Sequence, residues 1–379
     1  MKNICVITAT RSEYGLLRWI IDLLSKDEDI NLQIVATGSH LSEEFGMTYH
    51  FIEDDGYHID EMIDMELHTE DLYTIPRSMG ICAEKISYAF NRLNPDMVVI
   101  LGDRYELLPI VSTALLFNIP IAHISGGDIT EGAIDNEVRN AVTMMSTLHF
   151  PGTEEAAERI RRMLGTNNNI FTVGEPGLDS FLHYQLMNRS ELAQQLNLDE
   201  NKKWMLVTLH SETKESLDYN IQMSKNLYHA MLQQKNVQFV VTKANADFGG
   251  SHINVYYASQ RNDNLRVVAS LGQKRYLSFM HQAACVLGNS SSGIIEAPFL
   301  GIPVVNVGDR QKGRYMCRNV ICCGIQQKNI CDAISQIDNY RYVDNYWGDG
   351  HASERIVQHI REFFKEKKEI FKKHGFVVM

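Results

Sequence analysis

Paired cysteines, long apolar runs and positive charge are all scarce in this chain, and each shortage closes off a class of protein. Seven cysteines stand among 379 residues. None is spaced as C-x-x-C, and Cys322 and Cys323 are simply adjacent, so the thiols read as reduced rather than as a disulfide framework or a zinc module. The most apolar long stretch, 107–124, is interrupted by Pro109, Asn118 and Pro120, which excludes a transmembrane helix. The opening run from Ile4 to Thr8 is too short for the apolar core of an export signal, and the expectation is a soluble, cytoplasmic protein with no membrane partner. Lys and Arg number 36 against 47 Asp and Glu, a formal net charge of −11. That balance argues against nucleic acid as a partner, while local basic groups could still hold a small phosphate. No G-x-G-x-x-G fingerprint follows the first apolar run, so a nicotinamide cofactor is not expected.

What is present is ordinary globular composition, 44% hydrophobic and 22% charged, in a chain long enough for two or three domains. Short β-rich runs recur between amphipathic helical patterns: 4–8, 31–37, 97–101, 121–124 and 170–173. Continuous apolar runs of this kind predict a parallel sheet covered on both faces. A second series follows at 204–209, 237–242, 265–268, 285–287 and 303–307, after a polar helical stretch over 182–203. The expected fold is α/β, with two Rossmann-like doubly wound domains facing a cleft. Such sheets bind ligands at the carboxyl ends of their strands. The expected division is 1–178, 179–355 and a C-terminal helix over 356–379. That helix either packs back on the first domain or stays with the second.

Several strand ends carry residues suited to chemistry. Gly288-Asn289-Ser290-Ser291-Ser292-Gly293 joins a strand to a helix, where free N–H groups and hydroxyls can meet phosphate; an ordinary serine N-cap explains it equally well. Glu296, on the first turn of that helix, could accept ribose hydroxyls or serve the helix dipole. Gly308-Asp309-Arg310-Gln311-Lys312-Gly313-Arg314 concentrates three cations in an acidic protein, which suggests an anion site unless it is a solvated turn. Gly102-Asp103-Arg104 ends a buried strand; an ion pair at a helix start is the plainer alternative. The run from His123 to Asp135 offers Asp128, Glu131 and Asp135, acids close enough to raise one another's pKa. No histidine or cysteine spacing there supports a tight metal site. His210 ends a strand, with structural and functional readings balanced; His40 reads more readily as structural.

Taken in order, these loops resemble the hydrolysing UDP-N-acetylglucosamine 2-epimerases of bacterial sialic-acid and legionaminic-acid synthesis, and the epimerase half of the bifunctional animal enzyme. The resemblance rests on Arg11-Ser12-Glu13-Tyr14-Gly15, Gly38-Ser39-His40, Gly102-Asp103-Arg104, Gly126-Gly127-Asp128, Asp135 with Arg139, His210, the serine-rich turn with Glu296, Gly308-Asp309-Arg310-Gln311 and Gly348-Asp349-Gly350. It spans nearly the whole chain. It implies the two-domain glycosyltransferase-B fold, a UDP-sugar substrate, UDP as product, no metal or redox cofactor, and a homodimer or homotetramer. Ser290 and Ser291 would hold the diphosphate, Glu296 the ribose, and Arg11, Arg104 and Arg310 would neutralise phosphate. Asp103, Asp135 and His210 match residues of the family's catalytic cleft.

The implied reaction is anti elimination of UDP with loss of the C2 proton, giving a 2-acetamidoglucal, then addition of water to release N-acetylmannosamine. Two readings stand beside it: the same chemistry on UDP-N,N'-diacetylbacillosamine, and a UDP-sugar-binding protein impaired in catalysis. The sequence departs from the family pattern at Ser125, where some members have Glu, and at Asn140 and Met144, where His and Lys are usual. Asp128 and Glu131 are the expected stand-ins for the missing proton carriers.

Overall fold

A computed structural model describes residues 1–67, 73–131, 133–245 and 247–365. Gly132 of the glycine-rich loop and residues 366–379 of the expected last helix lie outside the described residues.

The strands of the first sheet are β1 (Lys2–Thr8), β2 (Ile30–Thr37), β3 (Glu61–Ile63), β4 (Met97–Leu101), β5 (Ile121–Ile124) and β6 (Leu148–Phe150). Those of the second are β7 (Lys203–Thr208), β8 (Val237–Thr242), β9 (Leu265–Val268), β10 (Cys285–Gly288), β11 (Val304–Val307) and β12 (Val320–Cys323). The spatial orders are β3-β2-β1-β4-β5-β6 and β12-β11-β10-β7-β8-β9, and every pairing is parallel. Each order reverses direction once, between β1 and β4 and between β7 and β10, which makes the crevice at those carboxyl ends the natural ligand site. Alternate residues feed opposite cores, as the period of two requires. Ile4 and Val6 face one cluster while Cys5 and Ile7 face another; Met205 and Val207 oppose Trp204 and Leu206 in the second sheet.

The expected strand at 170–173 is not formed. Ile170 makes only an isolated bridge to His149, and β6 takes the sheet edge in its place. The edge strands β3 and β12 escaped notice because they span only three and four residues. Among the described residues no helix is long and apolar enough to cross a membrane.

The chain crosses from the first sheet to the second at 174–179 and returns at 347–352. The two crossings touch. Glu175 N–H donates to the Trp347 carbonyl at 2.8 Å, and Gly174 and Gly348, both at positive φ, lie face to face so closely that a Cβ on either would press on the other's Cα. Asp179 on the outgoing crossing accepts from the N–H groups of Ala352 (3.0 Å) and Ser353 (2.6 Å) on the return. It therefore caps the helix Ala352–Lys365, where a carboxylate suits the free amides. That helix buries Ile356, Val357, Ile360 and Phe363 in the core of the first sheet.

Candidate active site

The loop after β1 opens the helix Arg11–Ser25 with a capping box: Glu13 N–H donates to Thr10 Oγ1, and the Glu13 carboxylate accepts from Thr10 N–H at 3.2 Å and also from Ala9 N–H at 2.7 Å. This geometry stops β1 at Thr8 and turns the chain into a helix at once. Arg11 stands on the first turn, with no carboxylate in ion-pair range among the described residues; burial lowers its pKa to about 10. A cavity beside it is lined by Arg11, Arg18, Tyr184, Gln273, Lys274 and Arg275.

The loops after β4 and β5 bring acids and cations together. Asp103 receives a hydrogen bond from Arg139, which is fully buried and also donates to the Asp128 carbonyl at 2.8 Å. Burial alone would raise the Asp103 pKa, but Arg139, Arg314 and Arg310 outweigh it and hold the carboxyl below its ordinary value. Asp135 goes the other way. Burial and the neighbouring Asp103 raise it to about 6, against the pull of Arg310. Two carboxyl groups in one site are thus pushed apart in proton affinity, the arrangement that separates acid from base. Asp128 is buried and lies 3.6 Å from Arg314 Nε. Glu131 does not join this group. It is exposed at the rim, where its carboxylate lies 3.7 Å from Lys312 Nζ and its N–H donates to the Lys312 carbonyl at 2.8 Å.

The second sheet supplies the opposite wall. Arg310 reaches Asp135 at 3.3 Å. Arg104 pairs with Glu106 at 2.9 Å and, across the cleft, with Asp247 at 3.1 Å. His210 is buried, and its Nδ1 accepts from Asn245 N–H at 3.1 Å. The neutral ring therefore carries its proton on Nε2. Burial and the nearby Arg310 push its pKa down to about 3, so it is a donor rather than a base at neutral pH. His40 is held on both ring nitrogens, by Thr8 at 3.0 Å and Thr48 at 2.9 Å, and belongs to the core.

At the end of β10 the chain must pass close to β7. Gly288 has φ +133, and a Cβ there would strike the Thr208 carbonyl, so only glycine fits. Asn289 then fastens the crevice, its side chain accepting from His210 N–H at 2.7 Å and donating to His210 O at 2.9 Å. Ser290 is the N-cap of the helix Ser291–Phe299, and Ser291 stands half-buried beside it. Tyr276 OH lies 2.5 Å from Ser292 Oγ. Glu296 lies on the second turn of that helix, not on the first as expected; it is buried, one oxygen is without a hydrogen-bond partner, and burial raises its pKa to about 7.

Sequence reasoning missed three members of this site. Asp247 gains its meaning from Arg104 across the cleft, and Glu106 from its pairing with Arg104 on the same loop. Glu175, a buried carboxyl on the outgoing crossing, accepts from Ser125 Oγ at 2.8 Å; nothing in its local sequence points to it.

A family model described as UDP-N-acetylglucosamine 2-epimerase matches residues 22–361. The chain belongs to that family. It is 38% identical, over 91% of its length and 89% of the relative's, to the GDP/UDP-N,N'-diacetylbacillosamine 2-epimerase (hydrolyzing) of Campylobacter jejuni. It is 33% identical, over 94% of its length and 95% of the relative's, to the UDP-N,N'-diacetylbacillosamine 2-epimerase (hydrolyzing) of Legionella pneumophila. Among solved structures, the Neisseria meningitidis UDP-GlcNAc 2-epimerase bound to UDP-GlcNAc matches with a TM-score of 0.80 at 18% identity, covering 96% of this chain and 100% of that one. The fold of two facing sheets is therefore the family's fold.

Proposed function

We propose that this member of the 2-epimerase family is a hydrolysing enzyme acting on a UDP-2-acetamido sugar, releasing UDP and the C2-epimerised free sugar. The observation that carries the reading is the meeting of Asp103 and Asp135, with opposite shifts in proton affinity, against Arg139 and Arg310 in one interdomain cleft. Asp135 is the group suited to take the C2 proton at neutral pH. Asp103, ionised and fixed by Arg139, stabilises positive charge developing at C1 as UDP departs. Arg11, Arg104 and Arg310, with the amides at Ser290 and Ser291, take up the charge on the leaving diphosphate. His210 donates through Nε2 to a substrate or phosphate oxygen, and Glu296 takes the ribose. Water then adds to the 2-acetamidoglucal.

UDP-N-acetylglucosamine, giving N-acetylmannosamine for nonulosonic acid synthesis, is one donor. The two relatives at 38% and 33% identity favour the other, UDP-N,N'-diacetylbacillosamine. The division at 178 and 355, and assembly into homodimers or homotetramers, complete the reading. The test is proton NMR in deuterated water with each donor in turn. Free UDP with deuterium at C2 of the released sugar is expected for one of them. Both donors remaining intact would overturn the assignment in favour of a binding protein.

A further inference from the structure

Glu175 is in an unusual position for a carboxyl group. It sits on the outgoing crossing, 4% exposed, with Oε2 hydrogen-bonded by Ser125 and Oε1 without a partner. A buried polar atom left unsatisfied is costly, so its retention calls for a reason. Room for it is made deliberately: a Cβ on Gly152 would overlap Oε1. Ser125 is equally constrained. It follows β5 with φ +59, a left-handed conformation that non-glycine residues adopt with strain, concentrated at functional sites. Its N–H donates to the Phe150 carbonyl at 2.9 Å, while its hydroxyl turns toward Glu175.

The register places this pair at the reacting end of the sheet. Gly102 N–H donates to Ile124 O at 3.0 Å, so Asp103 and Ser125 each follow by one residue on adjacent strands. Ser125 is half-buried between fully buried neighbours, open where Glu175 is closed. The charged groups facing Glu175 are Asp128 from the loop after β5, Glu296 from the helix Ser291–Phe299, and Arg314 from the segment after β11. Burial, then Asp128, raise its pKa to about 8, against the Ser125 hydrogen bond and Arg314.

We propose that Glu175 and Ser125 form a two-residue relay that hands a proton to C2 of the 2-acetamidoglucal when water adds. The inference rests on the hydrolysing reaction proposed above. The glycal double bond supplies the electron pair for the new C2–H bond, and C1 takes the water oxygen. Water gives its surplus proton to a cleft carboxylate, Asp103 or Asp135. Ser125 passes its hydroxyl proton to C2 and is refilled by Glu175, which is reprotonated from solvent as products leave. Over the whole cycle one proton is released with UDP. Ser125 meets the sugar; Glu175 acts through it as a positioning residue that holds the proton.

The experiment supplies 2-acetamidoglucal, of whichever donor sugar proves active, together with UDP to the full chain. Hydration is followed by NMR for wild type, Glu175→Gln and Ser125→Gly. Both variants should hydrate the glycal about 100-fold more slowly, in the range of a lost acid catalyst, and should accumulate glycal when given the UDP-sugar. The wild-type hydration rate should fall above about pH 8, and that limb should be missing from the variants. A purely structural role would not move it. Glycine at 125 relieves the left-handed strain, so Ser125→Gly carries the test even if Glu175→Gln folds poorly. Wild-type hydration rates and pH profiles in Ser125→Gly overturn the relay. A wild-type protein inert toward both nucleotide sugar and glycal overturns the underlying reaction as well.

Discussion

Asp135 and Arg310 face each other across the cleft at 3.3 Å, one from each sheet's side. In the proposed reaction the pair joins the group that would lift a proton to a cation that would hold phosphate, so the chemistry at C2 and the departure of UDP would share one contact. Removing either member should separate the two functions.

Asp135→Asn should lower turnover by about 100-fold or more while leaving UDP binding largely intact. In the wild type the elimination rate should rise with pH and level off above about 6, where Asp135 loses its proton. Isothermal titration with UDP and the pH dependence of UDP release check both parts. Full activity in the variant would remove Asp135 from the mechanism.

Arg310→Ala should act mainly on binding. Loss of one charge-assisted contact to phosphate costs about 1.5–3 kcal/mol, roughly tenfold to a hundredfold in UDP affinity. Unchanged affinity in the same titration would place the diphosphate elsewhere.

Asp103→Asn should abolish turnover and also destabilise the fold. Arg139 is fully buried and relies on Asp103 for its counter-charge, and stranding a buried charge costs about 3–5 kcal/mol. Thermal unfolding should show a larger drop for Asp103→Asn than for Asp135→Asn. Equal melting temperatures would contradict the buried pair.

His210 should stay neutral down to mildly acidic pH, since burial and Arg310 hold its pKa near about 3. Its imidazole signals should not titrate between about pH 5 and 8. His210→Gln should lose rate yet keep the limb near 6 that Asp135 sets. A limb that moves with His210 would reverse the two assignments.

Stability should peak at mildly acidic pH, between about 4.5 and 6.5. His40, His123 and His210 bind protons more weakly folded than unfolded, so stability is lost as pH falls below their ordinary value of 6.5. Glu13, Glu175 and Glu296 do the opposite, with folded values of about 8, about 8 and about 7. Their contribution is complete below the ordinary value of 4.5 and is lost as pH climbs through those folded values. The melting temperature should therefore decline from about pH 6.5 to 8 and level off above that, less steeply in Glu175→Gln. A flat alkaline limb would mean these carboxyls are not held protonated.

Much of this was legible in the sequence because parallel strands announce themselves. Met97–Leu101 is apolar throughout and Val237–Thr242 mostly so, and the loops after β4, β7 and β11 carry Asp103, His210 and Arg310. Edge strands such as Glu61–Ile63 are short and mixed, and so gave no signal. The helix Asp135–Met145 explains one departure from the family pattern: Met144 is 53% exposed, so that position faces solvent rather than the cleft. The roles of Glu175 and Asp247 were not legible at all. Each acquires its meaning from a partner roughly 50 or 143 residues away, a separation no local pattern encodes.

The paired crossings have a mechanical consequence. A single linker would let the two halves swivel and twist independently, whereas two strands bonded through Glu175 and Trp347 and pressed together at Gly174 and Gly348 behave as one flat strap. Such a strap bends readily about its short axis and resists torsion. Any opening and closing of the cleft would thereby be confined to a jaw-like stroke, with Arg310 meeting Asp135 in the same register at each closure.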